Sequence, residues 1–213
     1  MAPAVLQYSS TGKTEILGRL VSPEEILPEL LEDQDFYTES GGGVTLSGGE
    51  AMLQAKEILP LVKLLKQHGI SVLVDTAGCT PYASFQILNP FVTAYLMDFK
   101  TADEDQYREI GGNLAVVTEN IRRLREDGMT VWIRIPLIPR FNTSPQSVRA
   151  ICECLRNMGI EHVELLPFHR LGSAKYEAMG LAYAYKEQPP LTKDELKQIV
   201  SVYQTYFTVK KER

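Results

Sequence analysis

Several short stretches of this chain carry side chains that can act together on a zwitterion. Ser47-Gly48-Gly49-Glu50 places two residues without a Cβ beside a carboxylate. A ligand can come close to such a backbone and pair with its amides and carbonyls, while Glu50 offers an acceptor for an ammonium group. Asp75, in Asp75-Thr76-Ala77-Gly78, and Asp98, in Asp98-Phe99-Lys100, are hard oxygen ligands that can share a cation. Lys100, Arg134 and His169 add positive charge or donors suited to a carboxylate. One patch for an amino group and another for a carboxylate fit an amino-acid-like ligand better than a nucleotide phosphate.

Each residue also has a plainer reading. A Gly-Gly pair after a strand makes a tight turn, Asp75 can be an N-cap, and Lys100 can be a solvated surface charge. His169 can be a satisfied, half-buried histidine. Arg134 differs, because it sits inside an apolar strand where an unpaired charge is costly, so it needs a partner or a role. One motif is discarded: Thr11-Gly12-Lys13-Thr14 resembles the end of a phosphate-binding loop, but its earlier glycine would fall at Gln7 and no strand precedes it.

The elements that must hold these residues follow from periodicity. Ser22-Pro23-Glu24-Glu25 opens a helix with a capping box, and Val44-Thr45-Leu46 is a short strand. A helix from Met52 to His68 closes at Gly69. Strands at Ile70–Val74, Thr93–Met97, Met129–Ile135 and His162–Leu166 alternate with helices at Tyr82–Leu88, Leu114–Asp127 and Pro145–Met158. Thr192, with Glu195 at capping-box spacing, starts a last helix from Lys193 to Phe207. Five strands and six helices, with nearly continuous apolar strands, predict an α/β fold with a parallel sheet and helices outside. Residues 1–213 read as one domain. Because a helix comes first, the expected architecture is a partial (β/α)6 TIM-like barrel missing its first strand; an open doubly wound sheet is the other candidate. In both, functional groups gather where strands exit into helices, and every exit here offers a polar or charged residue.

Composition excludes several classes. The chain has 213 residues, 44% hydrophobic, with 22 Lys plus Arg against 27 Asp plus Glu and a net charge of -5. That mildly acidic balance argues against nucleic acid as a partner, and no apolar run is long enough for a membrane span. No secretory signal is recognisable at the start, so a cytoplasmic location is expected. Cys79, Cys152 and Cys154 fit reduced thiols, and none falls into a C-x-x-C pattern.

Ser40-Gly41-Gly42-Gly43-Val44-Thr45-Leu46-Ser47-Gly48-Gly49-Glu50 resembles the signature of the glycyl-radical-enzyme activating enzymes, the pyruvate formate-lyase activating enzyme-like family of radical S-adenosylmethionine (SAM) proteins. The similarity continues in order through Asp75-Thr76-Ala77-Gly78, Met97-Asp98-Phe99-Lys100, Arg134-Ile135-Pro136-Leu137-Ile138-Pro139, Leu165-Leu166-Pro167-Phe168-His169, Lys175-Tyr176, Tyr185 and Pro189-Pro190. The resemblance implies a partial barrel that binds SAM at a 4Fe-4S cluster. One electron then cleaves the sulfonium, and the 5′-deoxyadenosyl radical takes a hydrogen from a glycine of a pyruvate formate-lyase-like partner. An electron donor such as flavodoxin or ferredoxin is implied. By the same analogy Ser47, Gly48, Gly49 and Glu50 contact the methionine amino end. Asp75, Thr76 and Asp98 form a monovalent-cation site, and Lys100, Arg134 and His169 surround the SAM.

Two features depart from that pattern. Ala51 stands where many relatives have Pro, a change in loop stiffness more than in chemistry. The C-x-x-x-C-x-x-C motif is absent, and three thiolates are needed to hold a cluster with one open iron. Met1-Ala2-Pro3-Ala4 resembles the tail of a Cys-Pro segment in larger relatives, so the chain is expected to start inside a longer protein and to be inactive alone. The competing readings are a cluster-free module that binds SAM or a partner protein, and an unrelated α/β-barrel lyase or isomerase using Lys100 or His169 as acid or base.

Overall fold

The computed structural model describes residues 19–170, 173, 176 and 180–210. Met1-Ala2-Pro3-Ala4, the Thr11–Thr14 stretch and Lys175 lie outside the described residues. Helix α1 (Pro23–Leu31) begins as its sequence demands: the Ser22 hydroxyl accepts from the Glu25 amide at 3.2 Å, and the Glu25 carboxylate accepts from the Ser22 amide at 2.6 Å. Helix α2 (Gln34–Ser40) follows, ending at Gly41 in the left-handed conformation (φ 65°). Strand β1 (Gly43–Leu46) lies so close to its neighbour that a Cβ on Gly43 would stand 2.0 Å from the Ser71 carbonyl oxygen.

The remaining elements alternate. A 3-10 turn (Ala51–Gln54) leads into α3 (Ala55–Gln67), then β2 (Ser71–Thr76), α4 (Tyr82–Leu88) and β3 (Ala94–Asp98). Helices α5 (Glu104–Glu109) and α6 (Leu114–Glu126) precede β4 (Thr130–Leu137), α7 (Pro145–Asn157) and β5 (His162–Pro167). Helix α8 (Lys193–Tyr206), started by the Thr192–Glu195 capping box, runs into β6 (Thr208–Lys210).

All six strands are parallel and stand in chain order, β1 to β6. A doubly wound sheet reverses its order at a switch point. This one never does, so the barrel-type arrangement holds and the open doubly wound alternative is excluded. Side chains alternate across the sheet. One face carries Val72, Val74, Tyr95, Met97, Ile133, Ile135, Val163 and Leu165, all buried in one cluster with Leu65, Phe85, Ile121, Ile151 and Ile199 from the helices. The opposite face carries Asp75, Asp98, Trp132, Arg134 and Glu164, and there Trp132 remains 42% exposed. The described helices therefore cover one side of the sheet, and the polar strand residues sit on the other.

Three elements differ from expectation. Strand β6 makes a sixth rung where five strands were expected; three residues directly after a helix give no periodicity to read. Helices α2 and α5, with sequences QDFYTES and EDQYRE, are short and polar and do not stand out from loops. The helix expected from Met52 opens as a 3-10 turn and becomes α-helical only at Ala55, and the other boundaries shift by no more than two residues, as frayed ends do.

Candidate functional site

The loop after β1 is shaped by its glycines. Gly48 (φ 86°) and Gly49 (φ 53°) occupy the left-handed region, and a Cβ on either would meet nothing within 4 Å. Backbone conformation requires glycine here, not crowding, and the loop's peptide groups are left exposed at the rim. Glu50 then turns back into the protein. Its Oε1 accepts from the Met52 amide at 3.0 Å and from the Thr76 hydroxyl at 2.6 Å, and its Oε2 accepts from the Ala77 amide at 2.8 Å. Glu50 thus clasps the exit of β1 to the exit of β2. The Thr76 hydroxyl also accepts from the Gly78 amide at 2.9 Å, so Thr76 faces this clasp and not the open side. At Gly78 (φ 72°) a Cβ would stand 2.2 Å from the Met97 sulfur, which makes this glycine a packing requirement as well.

On the open face, register places Asp98 beside Arg134. The Arg134 Nη2 donates to Asp75 Oδ1 at 2.5 Å and to Asp98 Oδ1 at 3.1 Å, and its Nε donates to the same Asp98 oxygen at 3.3 Å. The Ser47 hydroxyl donates to Asp75 Oδ2 at 3.1 Å, and the Lys100 ammonium to Asp98 Oδ2 at 3.3 Å. All four oxygens of the acid pair therefore have a donor. Burial works against the Arg134 charge, but Asp98 and Asp75 outweigh it and hold the guanidinium above its usual range. The paired charges are 17–23% exposed at Arg134, Asp75 and Asp98, so water screens them only partly. Counting histidine as neutral, Glu50, Asp75 and Asp98 against Lys100 and Arg134 leave one surplus negative charge on this rim.

The structure thus brings together Ser47, Gly48, Gly49, Glu50, Asp75, Thr76, Asp98, Lys100 and Arg134 along the exits of β1 to β4. His169 stands on the loop after β5, exposed, next to Phe168, whose ring lies 5.9 Å from that of Tyr185. Two asparagines that sequence reasoning missed hold the rim in place. Asn142, fully buried, donates to the Lys100 and Pro136 carbonyls at 2.7 Å each and accepts from the Ile138 amide at 2.8 Å. Asn120 donates to the Gly78 and Thr80 carbonyls at 2.8 Å each. In sequence, Asn142 follows Pro139-Arg140-Phe141 and reads as an ordinary turn residue. The only available signal was that a polar amide next to two strand exits has carbonyls to satisfy.

The residues present do not fit an iron–sulfur cluster. Cys152 is buried on α7 with Cys154 two positions on, and Cys79 lies half-buried after β2. Among the described residues no group of three or more His, Cys, Asp or Glu side chains is placed to hold a metal ion. Nor is any described helix long and apolar enough to cross a membrane.

A model of the radical SAM superfamily matches residues 7–161 of the chain. The chain is similar to the pyruvate formate-lyase-activating enzyme of Clostridium pasteurianum, 34% identical over 184 residues that cover 85% of this chain and 77% of that enzyme. It is 36% identical over 180 residues to the pyruvate formate-lyase 2-activating enzyme of Escherichia coli K12, covering 84% of this chain and 62% of that one. With the trans-4-hydroxy-L-proline dehydratase activating enzyme of Clostridioides difficile it shares 33% identity over 194 residues, 89% of this chain and 64% of the relative. The chain therefore spans less than two thirds of the second and third of these relatives. Among solved structures, a domain of pyruvate-formate lyase-activating enzyme from Bacteroides vulgatus superimposes with a TM-score of 0.64 at 23% identity, covering 80% of this chain and 99% of that one. A radical SAM methyltransferase from Sphaerobacter thermophilus gives 0.68 at 17% identity, covering 92% and 60%. At such identities the likeness speaks to the fold alone.

Proposed function

This chain belongs to the radical SAM superfamily and, within it, to the glycyl-radical-enzyme activating enzymes, and on that premise we propose that it forms the SAM-binding rim of such an enzyme. The surplus negative charge of the rim carries the reading. SAM, with a sulfonium, an ammonium and one carboxylate, bears one net positive charge and so complements a rim of three carboxylates and two cations. The exposed backbone at Gly48 and Gly49, with Ser47 and Glu50 flanking it, would receive the methionine amino end. Arg134 and Lys100 would turn to its carboxylate, and His169 would close the far side. Asp75 and Asp98, with the Thr76 carbonyl, would then share a monovalent cation in place of the Arg134 guanidinium that bridges them in this structure.

Bound beside a one-electron donor, SAM would take up one electron, lose its S–C5′ bond with release of methionine, and supply the 5′-deoxyadenosyl radical that takes a hydrogen atom from a glycine of the partner, a pyruvate formate-lyase-like glycyl radical enzyme. A flavodoxin or ferredoxin is the donor this reading calls for, and the cytoplasm its place. Since Cys79, Cys152 and Cys154 do not form a cluster site, the chain by itself is expected to bind SAM without cleaving it.

Calorimetric titration tests both halves of the reading. SAM binds competitively with free methionine, ATP does not compete, and Glu50→Gln or Arg134→Met weakens the binding. A chain that binds ATP and SAM equally well would refute the zwitterion site. Stoichiometric iron after reconstitution, with release of 5′-deoxyadenosine, would refute the claim that this chain is inactive alone.

A further inference from the structure

Away from the loops of the rim, the open face of the sheet holds a cavity of about 620 Å³ over β3, β4 and β5, lined by Leu96, Arg125, Trp132, Glu164 and Lys210 among others. We propose that it is a binding site for a guanine nucleotide, with the base laid on Trp132, its N–H edge at Glu164 and its phosphate at Arg125 and Lys210. The proposal does not depend on SAM binding at the rim.

Register shows how the site is built. Asp98, Arg134, Glu164 and Lys210 stand level with one another on β3, β4, β5 and β6, an alternating row of acid and base across four strands. Asp98 and Arg134 are bonded to each other, whereas half-buried Glu164 has no hydrogen-bond or ion-pair partner among the described residues. Withdrawing a carboxylate from water without giving it donors is costly, so a ligand that brings N–H groups to Glu164 gains by doing so.

One row below, Leu96 and Trp132 are register partners. Trp132 is 42% exposed although it stands in the middle of a sheet, and the Lys210 ammonium rests 4.3 Å from its ring. Such a flat aromatic face, with an apolar neighbour, is a stacking platform for a nucleobase. A base that takes this place releases the Lys210 ammonium to meet an anion. Arg125, in the last turn of α6, supplies a second cation. Among the described residues it bonds only the Met158 carbonyl, through Nη1, and a Cβ on Gly159 would stand 3.0 Å from that nitrogen, so glycine leaves room for the side chain. The rest of its guanidinium fork matches phosphate oxygens.

Together these groups select the class of ligand. The volume lies within the roughly 300–1,000 Å³ of sites for whole small molecules. A carboxylate accepts two parallel bonds from the N–H edge of guanine, whereas adenine turns a ring lone pair towards it. A simple aromatic acid would find the platform and the cations but leave Glu164 unpaired. A polyamine would pair with Glu164 but be repelled by Lys210 and Arg125.

Trp132 is the chain's one tryptophan, so its fluorescence reports on this site. GMP should quench it saturably, and AMP should bind about tenfold or more weakly, the discrimination expected of one bidentate pair. Glu164→Gln should abolish that preference. Arg125→Met should weaken GMP severalfold and leave guanosine unchanged. Trp132→Leu, read by calorimetry, should weaken GMP about tenfold through the lost stacking. No saturable quenching up to millimolar GMP, equal binding of GMP and AMP, or a preference that survives Glu164→Gln overturns the proposal. So does SAM that quenches Trp132 and is displaced by GMP, since the cavity would then be part of the rim site.

Discussion

Replacing Arg134 with leucine removes the one group that bridges two strand-end carboxylates. The guanidinium contributes contacts of 2.5 Å to Asp75 and of 3.1 and 3.3 Å to Asp98, and all three partners are about one-fifth exposed. Breaking a fully buried pair by deleting one partner costs about 3–5 kcal/mol. Discounting for this exposure, and for the donors that remain at Ser47 and Lys100, puts the loss at about 2–3 kcal/mol. For a chain of this size that corresponds to a fall of about 5–10 °C in melting temperature. Asp98→Asn in the same background should recover part of it at neutral pH. Urea denaturation of the single and double variants beside the unaltered chain gives both differences. A single variant that loses less than about 0.5 kcal/mol, the scale of a screened surface pair, would refute the view that Arg134 is what allows the acid pair to exist.

Other outcomes follow from the same geometry. Asn142→Ala strands the Lys100 and Pro136 carbonyls and the Ile138 amide, and should cost about 2–4 kcal/mol in denaturant titration while also weakening SAM binding through the displaced Lys100 loop. Gly78→Ala and Gly48→Ala share a positive φ but differ in surroundings. The first meets Met97 and should lose clearly more stability than the second, whose cost is the left-handed strain of about 1–2 kcal/mol; thermal melts of the pair decide this. Burial pushes the Cys152 thiol up to about 12, so its contribution is present below its ordinary value of 9.0 and is lost as pH rises between the two. Native Cys152 should therefore resist alkylation at mildly alkaline pH, where half-buried Cys79 reacts, and mass spectrometry after a timed pulse of iodoacetamide distinguishes them.

The capping boxes at Ser22 and Thr192 declared their helices in sequence because both partners lie within four residues. The rim residues were legible for a related reason: each follows directly on an apolar run, and in a parallel sheet that position faces the ligand side. What sequence hid was relational. Arg134 showed that it needed a partner, but only the register of β2, β3 and β4 reveals that the partner is a pair of carboxylates. The hydroxyl of Thr76 points at Glu50, so only its carbonyl is left for a cation, and alternation along a strand predicts that only once its face is known. Asn142 acts at a distance of more than forty residues on the loop it holds, and no local pattern encodes that.

The one-sided covering of the sheet bears on how such a chain can diversify. Neighbouring residues of one strand answer to different pressures: Ile133 and Ile135 to the interdigitation of helices, Trp132 and Arg134 to whatever approaches from the open side. Away from the Arg134–acid pair, exchanges on that side disturb the scaffold little: at the lower end of the face Trp132 is 42% exposed beneath the Lys210 ammonium, 4.3 Å from its ring. A lineage built on this plan can change its clientele one alternate position at a time, retaining foldability while selection explores the other side.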